Sequence, residues 1–201
     1  MVLNDKDIRE RIKSDDLIAI PHYTYTEFPE KYESSIQPCS YDLTLSTEFK
    51  RIKKQSCEYP NKSYVDLSDP VEYVTIPYDG GAFDGVVIGA GEFMLGVTNE
   101  IVHLPNDVGA MLIPRSSFGR LGLSLEFGNW IDPGYCGALS IQIFNASPNP
   151  IRLVAGIRAV QLVFITLTDA CESPYHSKYQ HSFRNVESRL CTDIIKDCQA
   201  I

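Results

Sequence analysis

Two isoleucines, Ile8 and Ile12, stand one helical turn apart in an otherwise polar stretch, NDKDIRERIKSDD. That spacing predicts a short amphipathic helix over about residues 5–14, capped by Asn4 or Asp5. The period then changes. Tyr41-Asp-Leu-Thr-Leu45 alternates apolar and polar, and further strands are expected at 93–97, 108–113, 139–144, 151–153 and 159–165. Prolines at 105, 114, 133, 148 and 150, with glycine turns at Gly80-Gly81 and 89–91, punctuate them. Many short strands behind one N-terminal helix predict a mainly β sandwich, barrel or jelly roll. The run from Asp79 to Gly91 has no Walker spacing and reads as hairpin turns. The tail from about Tyr175 is polar and can end in a helix near Ser188–Cys198.

Length and composition bound the rest. The 201 residues fit one domain, 1–201, with a helical segment at 1–20 and a tail at about 175–201. A net charge of −8 argues against sequence-independent nucleic-acid binding, which depends on neutralising phosphates. An anionic ligand would therefore need a local basic pocket. The N-terminus is too polar for a signal peptide, and the longest apolar runs, such as Val160–Ile165, are too short to span a bilayer. The six cysteines (39, 57, 136, 171, 191 and 198) form no CxxC pair, so reduced thiols in a cytoplasmic protein are expected, without structural zinc. The HxE…PCxxC signature of zinc-dependent deaminases is absent.

Candidate chemistry concentrates in residues 114–145. Arg115, Ser116 and Ser117 follow Pro114, which ends a strand, and Arg120 follows closely. Small hydroxyl residues let backbone N–H groups approach phosphate oxygens, and arginine adds a bidentate grip. Asp132 lies in Trp130-Ile-Asp-Pro-Gly-Tyr135. It is either a turn residue or, between aromatic walls, a carboxylate able to deprotonate a water. Asp42 is either a solvent-facing strand residue or a hard oxygen ligand to Mg²⁺ through water.

Together CSYDLTL, PRSSFGR, NWIDPGYCG with IFN, and GIRAVQL at 156–162 resemble the successive motifs of the trimeric dUTPase and dCTP deaminase superfamily. The opening NDKDI and SKYQ at 177–180 resemble its deaminase branch. The resemblance implies a distorted jelly-roll β-barrel, a homotrimer with shared active sites, and a deoxypyrimidine triphosphate substrate with Mg²⁺. It implies that Asp132 activates water and that Tyr135 packs on the deoxyribose. Arg115, Ser116, Ser117, Arg120 and Gln161 would lie around the phosphates, Asp42 near the magnesium, and Lys178, Tyr179 and Gln180 in a tail that folds over the triphosphate. A backbone hairpin at Glu126–Trp130 would read the base.

One position departs from the deaminase pattern. Ten residues after the matched aspartate the deaminases carry a glutamate that moves protons at the cytosine ring, and here Gln142 stands there. An amide neither accepts nor releases a proton near neutral pH. A polar strand residue hydrogen-bonded inside the trimer is the plainer account of Gln142, and Glu126 is the one acid between the two motifs that could reach the base instead. The Arg115-to-Asp132 spacing and the Ile-Phe-Asn ending look dUTPase-like, while the glycine-rich C-terminal arm of dUTPases is missing. The expectation is a dUTP diphosphatase yielding dUMP and pyrophosphate. The alternatives are a dCTP deaminase, alone or bifunctional, and a non-catalytic nucleotide-binding or regulatory module.

Overall fold

The computed structural model describes residues 1–14, 33–53, 70–78, 85–126 and 130–193. The expected helix forms as α1 (Asp5–Lys13). Asn4 is its cap, its side chain accepting from the Asp7 N–H at 3.0 Å, and Ile8 and Ile12 are its buried residues. The Gly80-Gly81 turn and the tip of the 126–130 segment lie outside the described residues. So does most of the C-terminal helix, of which residues 190–193 are helical.

Among the described residues twelve strands follow, and every ladder between them is antiparallel. In chain order they are β1 (Ile36–Gln37), β2 (Ser40–Thr44), β3 (Phe49–Ile52), β4 (Tyr73–Ile76), β5 (Val86–Ile88) and β6 (Phe93–His103). After them come β7 (Val108–Pro114), the short helix α2 (Ser116–Arg120), β8 (Leu123–Glu126), β9 (Trp130–Ile131), β10 (Cys136–Asn145), β11 (Ile151–Leu153) and β12 (Arg158–Thr166). One sheet runs β1-β2-β12-β7-β9, a second runs β4-β3-β6-β10-β8, and β11 pairs β5. Their inner faces share one core containing Phe49, Leu43, Met94, Ile141 and Phe164. This is the distorted jelly roll that the resemblance implies. No helix among the described residues is long and apolar enough to cross a membrane.

Strands β2, β6, β7, β10 and β12 all run past the expected stretches. Strand β6 continues through Thr98-Asn-Glu100, whose polarity breaks the sequence pattern. Those side chains are spent inside the fold. Asn99 donates to Thr44 Oγ1 and Leu45 O, the Glu100 carboxylate accepts from the Thr44 N–H and hydroxyl, and Thr98 Oγ1 accepts from Leu139 N. Register slips at this point, with Ala138 opposite Ile101 but Ser140 opposite Val97. Such a bulge bends a strand, and here it lets β6 bridge to Leu45 of the other sheet. The expected Glu126–Trp130 hairpin has residues 127–129 outside the described residues; of its flanks, β8 pairs β10 in the second sheet and β9 pairs β7 in the first.

Asn145 ties the end of β10 to its surroundings. It is fully buried, donates to Ile88 O at 3.1 Å and Asn149 O at 2.8 Å, and accepts from Ser147 N at 2.9 Å. Asn145→Ala strands these groups and should cost about 2–3 kcal/mol. Urea unfolding checks this: the midpoint falls with an unchanged slope, whereas an unmoved midpoint contradicts the assigned network.

Candidate active site

The second sheet turns its outer face toward the C-terminal tail. Residues 175–188 run back across it and are stitched down by backbone bonds. His181 N donates to Cys136 O at 2.7 Å and Ala138 N donates to Ser182 O at 2.8 Å. Asn185, buried, donates to Leu95 O at 3.0 Å, while Lys50 Nζ reaches Asn185 O and the Glu187 carboxylate, each at 3.0 Å. Between tail and sheet lies a cavity of about 510 Å³. Its chemistry comes from Trp130, Asp132, Tyr135, Gln142, Tyr179 and Glu187.

Asp132 follows β9, in the turn that Pro133 and Gly134 make. Gly134 has φ +82°, and a Cβ there would strike Pro174, so the turn and the tail's approach both require glycine. Gln180 locks the same place: its amide donates to Gly134 O at 2.7 Å and accepts from Cys136 N at 2.9 Å. The Trp130 indole donates from Nε1 to Asp132 Oδ1 at 2.9 Å. That indole lies against the backbone of β7, where Gly109 leaves space that a Cβ would fill. One carboxylate oxygen is thus held by the indole. The exposed carboxylate has its other oxygen free of hydrogen bonds to the described residues. Tyr135 is buried and donates to Ala138 O at 2.8 Å, with the Tyr175 ring 5.7 Å away. Burial, reinforced by Tyr175, pushes its hydroxyl well above the ordinary tyrosine range, so it remains a neutral donor.

Gln142 points outward from β10 into the cavity. Its Cα partner on β8 is Glu126. Among the described residues, the carboxylates that line the cavity are Asp132, bonded to the indole, and Glu187, paired with Lys50.

The phosphate-directed residues form a second cluster. Arg115 lies four residues beyond Met111, the partner of Trp130 on β7, which is roughly 13 Å at strand rise. It does not line the cavity. Ser116, Ser117 and Arg120 are exposed on α2. Gln161 donates to Asp42 Oδ1 at 3.2 Å and to Ser40 Oγ at 3.4 Å. Asp42 is fully buried, contrary to the solvent-facing reading. Arg115 and Arg158 approach its Oδ2 at 3.8 and 3.7 Å. Two guanidinium groups already compensate this carboxylate, and no group of three or more His, Cys, Asp or Glu side chains among the described residues is placed to hold a metal ion. The residues around Asp42 therefore do not fit the magnesium site that the resemblance implies. Lys178 is likewise engaged within the tail: its ammonium contacts the Asp193 carboxylate, donates to Arg189 O at 3.3 Å, and lies 5.2 Å from the Tyr179 ring.

Residues 2–167 match the family model described as dCTP deaminase-like. The chain belongs to the dCTP deaminase-like family. A "dCTP deaminase, dUMP-forming" of Persephonella marina is 33% identical over 193 residues, covering 96% of this chain and 99% of the relative. One of Methanothermobacter thermautotrophicus is 36% identical over 200 residues, covering 98% and 94%. Among solved structures, the 2′-deoxycytidine 5′-triphosphate deaminase from Agrobacterium tumefaciens superposes with a TM-score of 0.56 at 26% identity. That match takes in 81% of this chain and 47% of the deaminase chain, so this protein spans about half the length of that neighbour.

Within this dCTP deaminase-like fold, the sequence pattern brought out Asp132, Tyr135, Gln142 and Tyr179, which do meet at one cavity. Arg115, Gln161 and Asp42 meet elsewhere. Gly109, Arg158, Lys50, Asn185 and Glu187 were not singled out. Their parts depend on contacts between segments distant in sequence, although the Arg158 position within GIRAVQL could have drawn notice. Trp130 is the single tryptophan of the chain, which gives the site an optical reporter. Gly109→Ala should lift the indole off β7 and shift its emission to longer wavelength, with far-ultraviolet circular dichroism unchanged. An unshifted spectrum would contradict the packing of Trp130 on Gly109.

Proposed function

We propose that this enzyme forms dUMP from deoxypyrimidine triphosphates, deaminating dCTP and releasing pyrophosphate, in sites completed between copies of a homotrimer. The observation that carries the reading is an aspartate with one restrained and one free oxygen, Asp132, at an aromatic-walled cavity. The full-length relatives named for dUMP-forming dCTP deamination support the choice of substrate. The separation of Arg115 from its own chain's cavity supports shared sites. In this reading Arg115, Ser116, Ser117, Arg120 and Gln161 of one copy face the cavity of the next.

For pyrophosphate release, water attacks the α-phosphorus while Asp132 Oδ2 takes its proton, and pyrophosphate leaves. The indole N–H keeps the carboxylate turned toward the water, and arginine charge offsets that developing on the phosphates. For deamination, water adds to C4 of cytosine, a proton passes to N3, and ammonia departs. This needs a group that both takes and gives a proton. Gln142 can orient the base by hydrogen bonds but cannot do that. Glu126, opposite Gln142 in the ladder, is the residue we assign to it. The second reading, a dUTP diphosphatase without deaminase activity, is favoured by Gln142 itself.

The assignment of roles is checked by measuring two products in two variants. Asp132→Asn should cut pyrophosphate release from dUTP by roughly 10²- to 10⁴-fold, the range of general-base contributions. Glu126→Gln should suppress ammonia release from dCTP to a similar extent while pyrophosphate release from dUTP stays within about threefold. Undiminished ammonia from Glu126→Gln would remove that residue. Undiminished pyrophosphate from Asp132→Asn would remove Asp132.

A further inference from the structure

Asp42 is an unusual residue to find at the middle of a β-strand. It is fully buried on β2, whose five residues are all buried. A buried charge is costly unless it is compensated. Here compensation comes from two sides, since Arg115 begins where β7 ends and Arg158 opens β12. Arg115 Nε and Arg158 Nη1 stand 3.8 and 3.7 Å from Asp42 Oδ2. Both distances exceed a hydrogen bond, and Oδ2 has no hydrogen-bond donor among the described residues, so the attraction is one of charge. The two arginines are also fixed to each other and to the frame. Arg115 Nη1 donates to Arg158 O at 3.4 Å, Arg115 N donates to Ala159 O at 3.0 Å, and Arg158 Nη1 donates to Ser34 O at 2.6 Å. Gln161 holds the other carboxylate oxygen, and Ser40 Oγ accepts from the same amide.

Two cations converge on one anion and leave a net positive charge at the surface. The arginine side chains keep about two-fifths of their area exposed, at 36% and 40%. A guanidinium has five N–H donors in a planar fork, and the hydrogen bonds above commit few of them. A dication beside this carboxylate would meet two like charges, while a polyanion would meet two forks held in place.

The geometry points to Asp42 as a positioning residue, the buried counter-charge that aims Arg115 and Arg158 together at a polyphosphate, and to Arg158 as a second phosphate-binding cation. Asp42 therefore acts through the arginines and not as a ligand to Mg²⁺. The polyphosphate class rests on the proposed nucleotide triphosphate reading, but binding can be tested apart from turnover.

The probe is inorganic tripolyphosphate, titrated calorimetrically into the full-length protein in EDTA, so that no divalent metal takes part. The wild type should bind it, and Arg158→Ala should weaken binding about tenfold or more. Arg158→Ala also removes part of the compensation of the buried Asp42 charge and should lower the melting temperature, so the titration is made well below it. Asp42→Asn keeps the side chain's size and removes its charge, and should also weaken tripolyphosphate binding in EDTA. In turnover assays it should raise KM for the nucleotide more than it lowers kcat, without raising the Mg²⁺ concentration needed for half-maximal rate. Tripolyphosphate binding unaffected by Arg158→Ala, or a raised Mg²⁺ requirement with unchanged metal-free binding in Asp42→Asn, would overturn the inference. Should Asp42→Asn fail to fold, the Arg158→Ala titration decides alone. Arg158-dependent binding in a protein that turns over neither dCTP nor dUTP would uphold this anion site and refute the proposed reaction.

Discussion

Strand β10 has to satisfy two surfaces at once, and the cavity follows from how it does so. Its inward residues, Ile141, Ile143 and Asn145, belong to the interior, while Ser140, Gln142 and Phe144 face outward. An outer sheet face left open would be a flat surface with no enclosure for a base. The tail changes this by bonding its own backbone to Cys136 and Ala138 and by sinking Asn185 over Leu95. Strand alternation and tail docking together convert a sheet face into a walled site. Gly134 and Gln180 are the hinge of that arrangement, because a side chain at Gly134 would keep the tail away.

Charge is organised just as locally. The chain is acidic overall, yet Arg115 and Arg158 gather at one place. Two arginines gather at one fully buried aspartate, while the water-activating candidate, Asp132, lies on a different sheet edge with an indole N–H as its partner. The division makes chemical sense. The carboxylate between two guanidinium groups is buried and engaged by them, and the one that touches only an indole N–H has its other oxygen free of hydrogen bonds to the described residues. Neither cluster alone suits a nucleotide triphosphate, which is the physical ground for a site shared between copies.

Much of this was legible in the sequence. Ile8 and Ile12 announced α1, and the apolar stretches announced part of β2, β6, β7, β10 and β12 as well as β11. The short strands β1, β3, β4, β5, β8 and β9 were not anticipated, since four or fewer residues carry too little periodicity to stand out unless prolines flank them, as at 148 and 150 before β11. Asp132 with its aromatic neighbours was legible because turn chemistry is local. Asp42 was not, because its burial depends on arginines 73 and 116 residues further along the chain. The polar run Thr98-Asn-Glu100 likewise masked the continuation of β6, since the partners of those side chains come from β2 and β10. Glu126 shows the same limit from the other side. Its position between two motifs marked it as an acid of interest, but only strand register set it opposite Gln142.

The proposed chemistry requires an enzyme with an amide at position 142 to deaminate. The most direct measurement follows the wild-type protein with dCTP alone and counts ammonia, pyrophosphate and dUMP. Equal amounts of all three are predicted, with no build-up of dCMP. Pyrophosphate from dUTP in a parallel reaction, with no ammonia from dCTP, would contradict the claim and leave a diphosphatase.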